Sequence, residues 1–210
     1  MTRMVSQVIG RALLAAVLLG AGAARADGYL ESRRQLSTLL SVTWEAAFPQ
    51  GAARDFVDKT SFRGGQLELG FGVASRLALG VSASWNWLAQ NRAMGSLDLP
   101  DGTISGPAYR RAQLIGALAT GHWYLRGGAV QPYLGVGLGG GWHGTHVAVA
   151  NVIRTASGWH WAGEPRVGVL LAVRPGLAVN LQARYALTTA RLGDAKDARW
   201  IAVDVGLAVY

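Results

Sequence analysis

The dominant feature of this sequence is a period-two alternation between apolar residues and small or polar ones. From Leu67 the chain reads LELGFGV, which places leucine, phenylalanine and valine on one parity and glutamate and glycine on the other. The segment from Leu77 to Trp87 repeats the pattern. Because successive side chains of an extended chain point to opposite sides, each such segment predicts a β-strand with one apolar face.

Eight segments of this kind follow one another, and they predict an all-β protein. One of them, Gln113 to Leu125, is apolar on both parities, so its two faces stay unassigned. The predicted strands are Leu36–Ala46, Leu67–Val73, Leu77–Trp87, Gln113–Leu125, Pro132–Trp142, Val167–Val173, Leu177–Leu187 and Ile201–Val209.

The connections between these strands alternate in length. Strands one, three, five and seven are followed by loops of about 16, 22, 15 and 12 residues, within the usual uncertainty of predicted boundaries. Strands two, four and six are followed by short links such as Ser75-Arg76 and Arg174-Pro175-Gly176. In an antiparallel up-and-down barrel, odd and even connections lie at opposite ends, so the alternation predicts that topology.

Tryptophan is unevenly placed along the predicted strands. Seven of the eight tryptophans fall near the ends that carry the long loops, and Trp123 lies at the other end. An aromatic belt at a membrane–water boundary has this distribution. The predicted outer belt consists of Trp44, Trp85, Trp87, Trp142, Trp159, Trp161 and Trp200.

The stretch QPYLGVGLGGGW, from Gln131 to Trp142, contains the spacing G-x-G-x-x-G of a dinucleotide-binding loop. Such a loop requires a helix directly after the glycines, but WHGTHVAVAN follows, without helical periodicity or a cap. We therefore interpret the stretch as a strand. Gly135, Gly137, Gly139 and Gly141 then face the narrow interior of a barrel, where they leave room for large side chains such as Arg166 and Arg184.

The first 26 residues are typical of a cleaved secretory signal peptide. Arg3 and Arg11 flank its start, a short apolar run begins at Ala12, and Ala24-Arg25-Ala26 fits a cleavage site. The predicted organisation is a signal peptide over residues 1–26 and one barrel domain over residues 27–210.

The remaining 17 basic and 12 acidic residues form no clustered basic run, which argues against a nucleic-acid partner. Cysteine is absent, so disulfides and thiolate metal sites are excluded.

No apolar run long enough for a transmembrane helix follows the signal peptide, and the apolar faces of the strands would be unsuitable for the wetted outside of a soluble barrel. The pattern predicts an eight-stranded antiparallel up-and-down transmembrane β-barrel.

The chain resembles the small eight-stranded outer-membrane β-barrels of Gram-negative bacteria, the OmpA/OmpW/OmpX-like group. The phrases that carry the resemblance are FPQGAARDFVDKTSFRGGQLELGF from Phe48, RLALGVSASWNW from Arg76, QPYLGVGLGGGW, and RPGLAVNLQARYAL from Arg174. The resemblance implies an outer-membrane location, with long loops outside and both termini in the periplasm. One departure is that Tyr210 lies on the parity of Asp204 and not on that of the apolar Val209. Either a bulge shifts the register there or the terminal assembly signal is weak.

Charged residues on the inward parity suggest a polar network in the lumen. Its members are Glu45, Glu68, Glu164 and Asp204 against Arg166, Arg174 and Arg184. Such a network is either the paired filling of a narrow interior or the lining of a gated solute path. The four histidines, His122, His143, His146 and His160, are expected at a wet boundary between loops and barrel, without a specific metal site.

Three functional hypotheses follow. The first is a monomeric barrel without catalysis or cofactor, which has a structural or surface-interaction role and whose partners are outer-membrane lipids, including lipopolysaccharide, and the barrel-assembly machinery. The second is a narrow channel or transporter for small solutes. The third is an enzyme that modifies lipid A, since the region PYLGVGLG resembles a lipid A deacylase, but the His and Ser of that family are replaced here within Ala183-Arg184-Tyr185-Ala186. Ten basic residues against six acids in the long loops favour contact with phosphates: Arg54, Lys59, Arg63, Arg92, Arg110, Arg111, Arg154, Arg191, Lys196 and Arg199.

Overall fold

A computed structural model describes residues 38–99, 102–192 and 196–210 of the chain. Within them, eight antiparallel strands pair in chain order and β8 pairs with β1, which closes the barrel. The elements are β1 Leu39–Gln50, α1 Ala52–Phe56, β2 Ser61–Ala74, β3 Leu77–Leu99, β4 Gly102–Tyr124, β5 Val130–Val149, β6 Val152–Arg174, β7 Leu177–Thr188 and β8 Arg199–Val209. The predicted fold class and strand number are confirmed. The predicted signal peptide lies outside the described residues.

The two faces of the closed sheet have opposite chemistry. Apolar side chains of the outward parity are exposed, as Phe71 at 47%, Val81 at 57% and Leu207 at 55% illustrate. Inward side chains such as Glu68 and Asp204 are almost completely buried. This arrangement is the inverse of a soluble barrel and fits a barrel whose outside meets hydrocarbon.

The sequence of β4 is apolar on both parities because apolar side chains lie on both of its faces in the structure. Leu114 and Leu118 are buried in the lumen, whereas Ile115 and Trp123 are exposed on the outside. The even-numbered residues of β4 therefore face inward, and two of its leucines fill interior space.

The prediction of four long, irregular loops is wrong for two of them. Strands β3, β4 and β6 have 23 residues each and β5 has 20, against 11 to 14 in the other four strands. Continued strand pairing satisfies the backbone groups of these segments, and the β5–β6 connection shrinks to Ala150-Asn151.

We call the end of the barrel with the β1–β2, β3–β4, β5–β6 and β7–β8 connections the loop end, and the opposite end the turn end. At the loop end, residues 88–99, 102–112, 144–149 and 152–158 rise above the other strands as a four-stranded wall, which we call the raised sheet. The pairing of β2 with β3 stops at Asn86, and that of β7 with β6 stops at Ala162, so both sides of the raised sheet are edges.

The other two loop-end connections cover the lumen. The β1–β2 connection contains α1, whose Phe56 is buried together with Val57. At the turn end, β2–β3 and β6–β7 are joined by the two-residue turns Ser75-Arg76 and Pro175-Gly176. The first turn is as predicted, whereas Arg174 of the second predicted link belongs to β6. Gly176 has φ 79°, a conformation that favours glycine.

The described part of the chain contains no helix with the length and hydropathy needed to cross a bilayer.

Candidate functional site

The centre of the lumen holds an ion-pair network around Arg184. Its guanidinium contacts three carboxylates: Nε donates to Asp204 Oδ2 at 2.7 Å, Nη1 donates to Glu164 Oε2 at 2.8 Å, and Nη2 donates to Glu45 Oε2. These residues come from β7, β8, β6 and β1, so one side chain connects four strands. Asn86 adds a fifth strand, β3, because its Nδ2 donates to Glu45 Oε1 at 2.6 Å.

Arg166 continues the network toward the opposite wall. Its Nη2 donates to Glu164 Oε2 at 2.9 Å, and its Nη1 donates to Glu68 Oε2 at 3.0 Å. His122 lies beside the same glutamate, with 3.3 Å between Nδ1 and Glu68 Oε1. Thr120 also donates to Glu68 Oε1, at 3.1 Å. The six predicted residues Glu45, Glu68, Glu164, Arg166, Arg184 and Asp204 thus meet in one network.

Four carboxylates meet only two guanidinium groups in this network, and all six side chains are nearly inaccessible to solvent. Glu164 is the point where the two arginines meet, since its Oε2 accepts from both. Each charge is held by two or more hydrogen bonds, which offsets the cost of desolvation. Such an arrangement ties strands together across the lumen.

An aromatic cluster fills the lumen on the turn-end side of the network. The Tyr133 ring packs 5.0 Å from His122 and 5.7 Å from Tyr124, between ring centroids. The Tyr133 hydroxyl donates to Asn180 Oδ1 at 2.9 Å. The turn-end cluster consists of Leu39, Ala78, Tyr124, Tyr133, Leu170, Ala178 and Ala208, with Tyr210 packed against it.

An apolar cluster fills the lumen on the loop-end side. Phe56 and Val57, which follow β1, pack there with Leu88, Leu114 and Trp200 from the barrel wall. The remaining members of the loop-end cluster are small or aliphatic: Ala47, Ala53, Ala112, Ala186, Ala190, Leu192, Ala198 and Ala202. The polar network is therefore enclosed between two hydrophobic layers.

Little free volume remains between these layers. A cavity of about 20 Å³ lies between the network and the loop-end cluster, and Glu45, Arg184, His160 and Trp200 are among its lining residues. One water molecule requires roughly 10–15 Å³ of such space. This cavity therefore has room for about one water molecule.

Two residues differ from their predicted places. Arg174 is exposed at the turn end and takes no part in the network, because it is the last residue of β6. Trp200 was predicted in the outer belt, but it is only 6% exposed and belongs to the loop-end cluster. Its height along β8 fits the belt, whereas its parity is that of Ala202 and Asp204, which face the lumen.

The other six tryptophans of the predicted belt lie on the outside of the barrel. Trp44 stacks on Phe62 at 5.8 Å and donates its Nε1 proton to the Phe62 carbonyl. Trp142 and Trp159 are paired across β5 and β6, and Trp159 is 83% exposed. Trp85, Trp87 and Trp161 complete the set.

The histidines do not all lie at a loop boundary. His122 is buried in the lumen beside Glu68, which corrects the expectation for this residue. His143 and His160 are also buried, with ring centroids 5.6 Å apart. His146 faces outward and packs edge-on against Tyr109. Among the described residues, no group of three or more His, Cys, Asp or Glu side chains is arranged to hold a metal ion.

Four glycines of β5 lie on the inward parity, as predicted: Gly135, Gly137, Gly139 and Gly141. A side chain at Gly137 would meet Arg166 Nη2 at 2.9 Å, and one at Gly135 would meet the His122 ring. Glycine is therefore required where β5 passes the network.

Residues Asn86, His122, Tyr133 and Asn180 contribute contacts that the sequence analysis did not assign. All four lie on inward parities, and strand periodicity could have found Asn86, Tyr133 and Asn180. His122 could not be placed in this way, because the sequence of β4 is apolar on both parities. Tyr210 also follows its parity into the lumen mouth, since β8 pairs with both neighbours without a bulge. Of the two explanations for the parity of Tyr210, the bulge is therefore wrong.

Several solved structures resemble this chain. Neither the known family models nor the curated proteins match it. The crystal structure of Neisserial surface protein A matches with a TM-score of 0.54 and 16% identity, over 82% of this chain and 96% of that one. Ail, the attachment invasion locus protein of Yersinia pestis, covers the same shares at a TM-score of 0.43 and 13% identity. The outer membrane protein OprG from Pseudomonas aeruginosa matches at 0.44 and 13% identity, over 83% of this chain and 96% of that one. With its eight antiparallel strands, apolar outside and polar lumen, this chain has the fold of the small eight-stranded outer-membrane β-barrels.

Proposed function

We propose that this protein resides in the bacterial outer membrane as a closed barrel, without catalysis or conduction, and that it has a structural or surface-interaction role through its loop end. The observation that carries this proposal is the filled lumen, in which an ion-pair network lies between two hydrophobic clusters. A solute path through eight strands would need a continuous polar opening, and the interior of so small a barrel is filled by side chains.

The exterior supports a membrane location. Outward residues between the turn end and the tryptophans are apolar on every strand, and the closed ladder leaves no free edge within this band. The resident lipids, lipopolysaccharide among them, are then the first partners of this surface, and the barrel-assembly machinery is the partner during insertion.

The raised sheet supports a role outside the bilayer. It continues β3 to β6 beyond the tryptophans and presents Arg154, Tyr109 and Ile153 to solvent. A rigid paired sheet loses less conformational freedom on binding than an irregular loop, so it suits recognition of a partner.

Two measurements test the proposal. The native protein should be recovered in the outer-membrane fraction and should run faster on gels when unheated than when heated, because a folded barrel resists detergent. Purified protein in planar bilayers should show no discrete channel openings. A soluble periplasmic pool would contradict the location, and reproducible single-channel steps would favour the narrow-channel alternative.

The lipid-modifying alternative is tested separately. Overexpression should leave the mass spectrum of lipid A unchanged, since Arg184 lies in the segment where the deacylases have their His and Ser, and here it is bonded to three carboxylates. A new deacylated species that depends on this protein would overturn the non-catalytic assignment.

A further inference from the structure

The outer surface of the barrel carries one groove just beyond the tryptophans, between β4 and β5. Its lining residues are Tyr109, Arg111, Gln113, Gly144, Thr145 and His146, and its volume is about 200 Å³. Arg111 and His146 are directly paired across the two strands, and both lie on the outward parity. We propose that this groove binds a phosphate group of a membrane glycolipid, namely lipopolysaccharide. The inference rests on the outer-membrane location proposed above.

The groove lies directly beyond the apolar band, at the level expected for a lipid headgroup. Ile115 of β4 and Trp142 of β5 are paired and face outward, and they mark the last apolar level on these strands. Gln113 lies two residues further, which is about 7 Å along a strand. A lipid whose acyl chains cover Ile115 and Leu138 would place its headgroup at this level.

Arg111 is held in place but has no acidic partner. Its guanidinium carbon lies 4.2 Å from the centroid of the Trp87 ring, which holds the planar group against the barrel wall. In the described part of the chain, no carboxylate pairs with Arg111. An arginine that is stacked on an aromatic ring keeps its hydrogen-bond donors free for a planar pair of phosphate oxygens.

The residues that line the groove also favour an anionic ligand. It contains no acidic residue, and the carboxylates of Glu45, Glu68, Glu164 and Asp204 all face the lumen. Tyr109, Gln113 and His146 line the groove as well, and their side chains can donate hydrogen bonds to an anion. Gly144 has no side chain and leaves the groove open beside the Trp142 ring. Charge and shape therefore both suit an anionic headgroup.

The test measures bound lipid A after purification of the full-length protein from outer membranes. Wild-type protein in detergent should retain lipid A and should bind added bis-phosphorylated lipid A more tightly than its dephosphorylated counterpart. Arg111→Gln should lower this affinity about tenfold, because one charge-assisted contact is lost. Arg111→Lys should recover part of it, since a lysine keeps the charge without the planar fork.

Arg199→Gln is the matched control. Arg199 is also exposed on the outward parity at the loop end, but it lies on β8, away from the groove. Its replacement should leave lipid A binding within about twofold of wild type.

Three outcomes would overturn the site. Equal binding by wild type and Arg111→Gln would show that the groove is not used. Equal losses in Arg111→Gln and Arg199→Gln would show a diffuse charge effect. Displacement of lipid A by millimolar inorganic phosphate would show that the ligand is a free anion and not a lipid. Absence of wild-type protein from the outer membrane would instead defeat the proposed function, so the two failures are distinguishable.

Discussion

Arg184 on β7 and Asp204 on β8 form a bidentate ion pair in the lumen, with Nε 2.7 Å from Oδ2 and Nη2 3.1 Å from Oδ1. The same guanidinium reaches Glu164 on β6 and Glu45 on β1. The Arg184 side chain thus links β6, β7, β8 and β1, which include the two strands, β8 and β1, whose pairing closes the barrel.

We expect Arg184→Gln to lower the free energy of unfolding by about 3–5 kcal/mol, because it leaves three carboxylates facing one another in a solvent-free interior. Urea unfolding in lipid vesicles, followed by tryptophan fluorescence, measures this change. Arg174→Gln is the control, since Arg174 is exposed at the turn end, and it should alter the unfolding free energy by less than about 0.5 kcal/mol. Equal stabilities of the two variants would show that the network contributes nothing.

Glu45→Gln and Glu164→Gln should differ, although both remove one negative charge. At position 45 an amide oxygen can still accept from Arg184. The amide nitrogen can donate to Asn86 Oδ1, which has no partner in the described structure, once the Asn86 amide rotates by half a turn and no longer presents its Nδ2. Glu164 Oε2 accepts from both arginines, so the weaker acceptor affects two bonds at once. We expect Glu164→Gln to cost about 1–2 kcal/mol more than Glu45→Gln in the same unfolding assay. The reverse order would contradict the assignment of Glu164 as the shared acceptor.

Lysine substitutions along β3 test which part of the exterior lies in hydrocarbon. Val81 is exposed in the middle of the apolar band, whereas Asn91 faces outward beyond Trp87. Val81→Lys should lower the free energy of unfolding in bilayers by about 2–4 kcal/mol, and Asn91→Lys by no more than about 1 kcal/mol. Heat-modifiable gel mobility and urea titration report the difference. A barrel wetted by water would tolerate both changes equally.

Epitope insertion tests the orientation of the barrel. A short tag after Asn151 lies at the tip of the raised sheet, and one after Gly127 lies in the β4–β5 connection at the turn end. Antibody should label the first tag on intact cells and the second only after the outer membrane is permeabilised. Both insertions fall between strands, so each should leave the barrel folded. Labelling of the Gly127 tag alone on intact cells would reverse the proposed orientation.

Periodicity alone predicted much of this protein. Alternation of side chains is a local property of an extended chain, so the strand number, the apolar outside and the inward parity of the six charged network residues could all be read from it. The same rule, applied to parity as well as height, would have placed Trp200 beside Ala202 and Asp204 in the lumen. Tyr210 was placed correctly on the inward parity, and only the explanation by a bulge was wrong.

The tertiary structure decided which residues meet and where strands end. That Glu164 lies between Arg166 and Arg184, or that His122 lies beside Glu68, depends on the stagger of strands around the closed ring, and no single segment contains that information. The raised sheet also could not be read from composition, because the extended parts of β3 to β6 are stabilised by pairing with one another and not by an apolar face. Local sequence determined the chemistry of each face, and closure of the barrel determined the contacts between them.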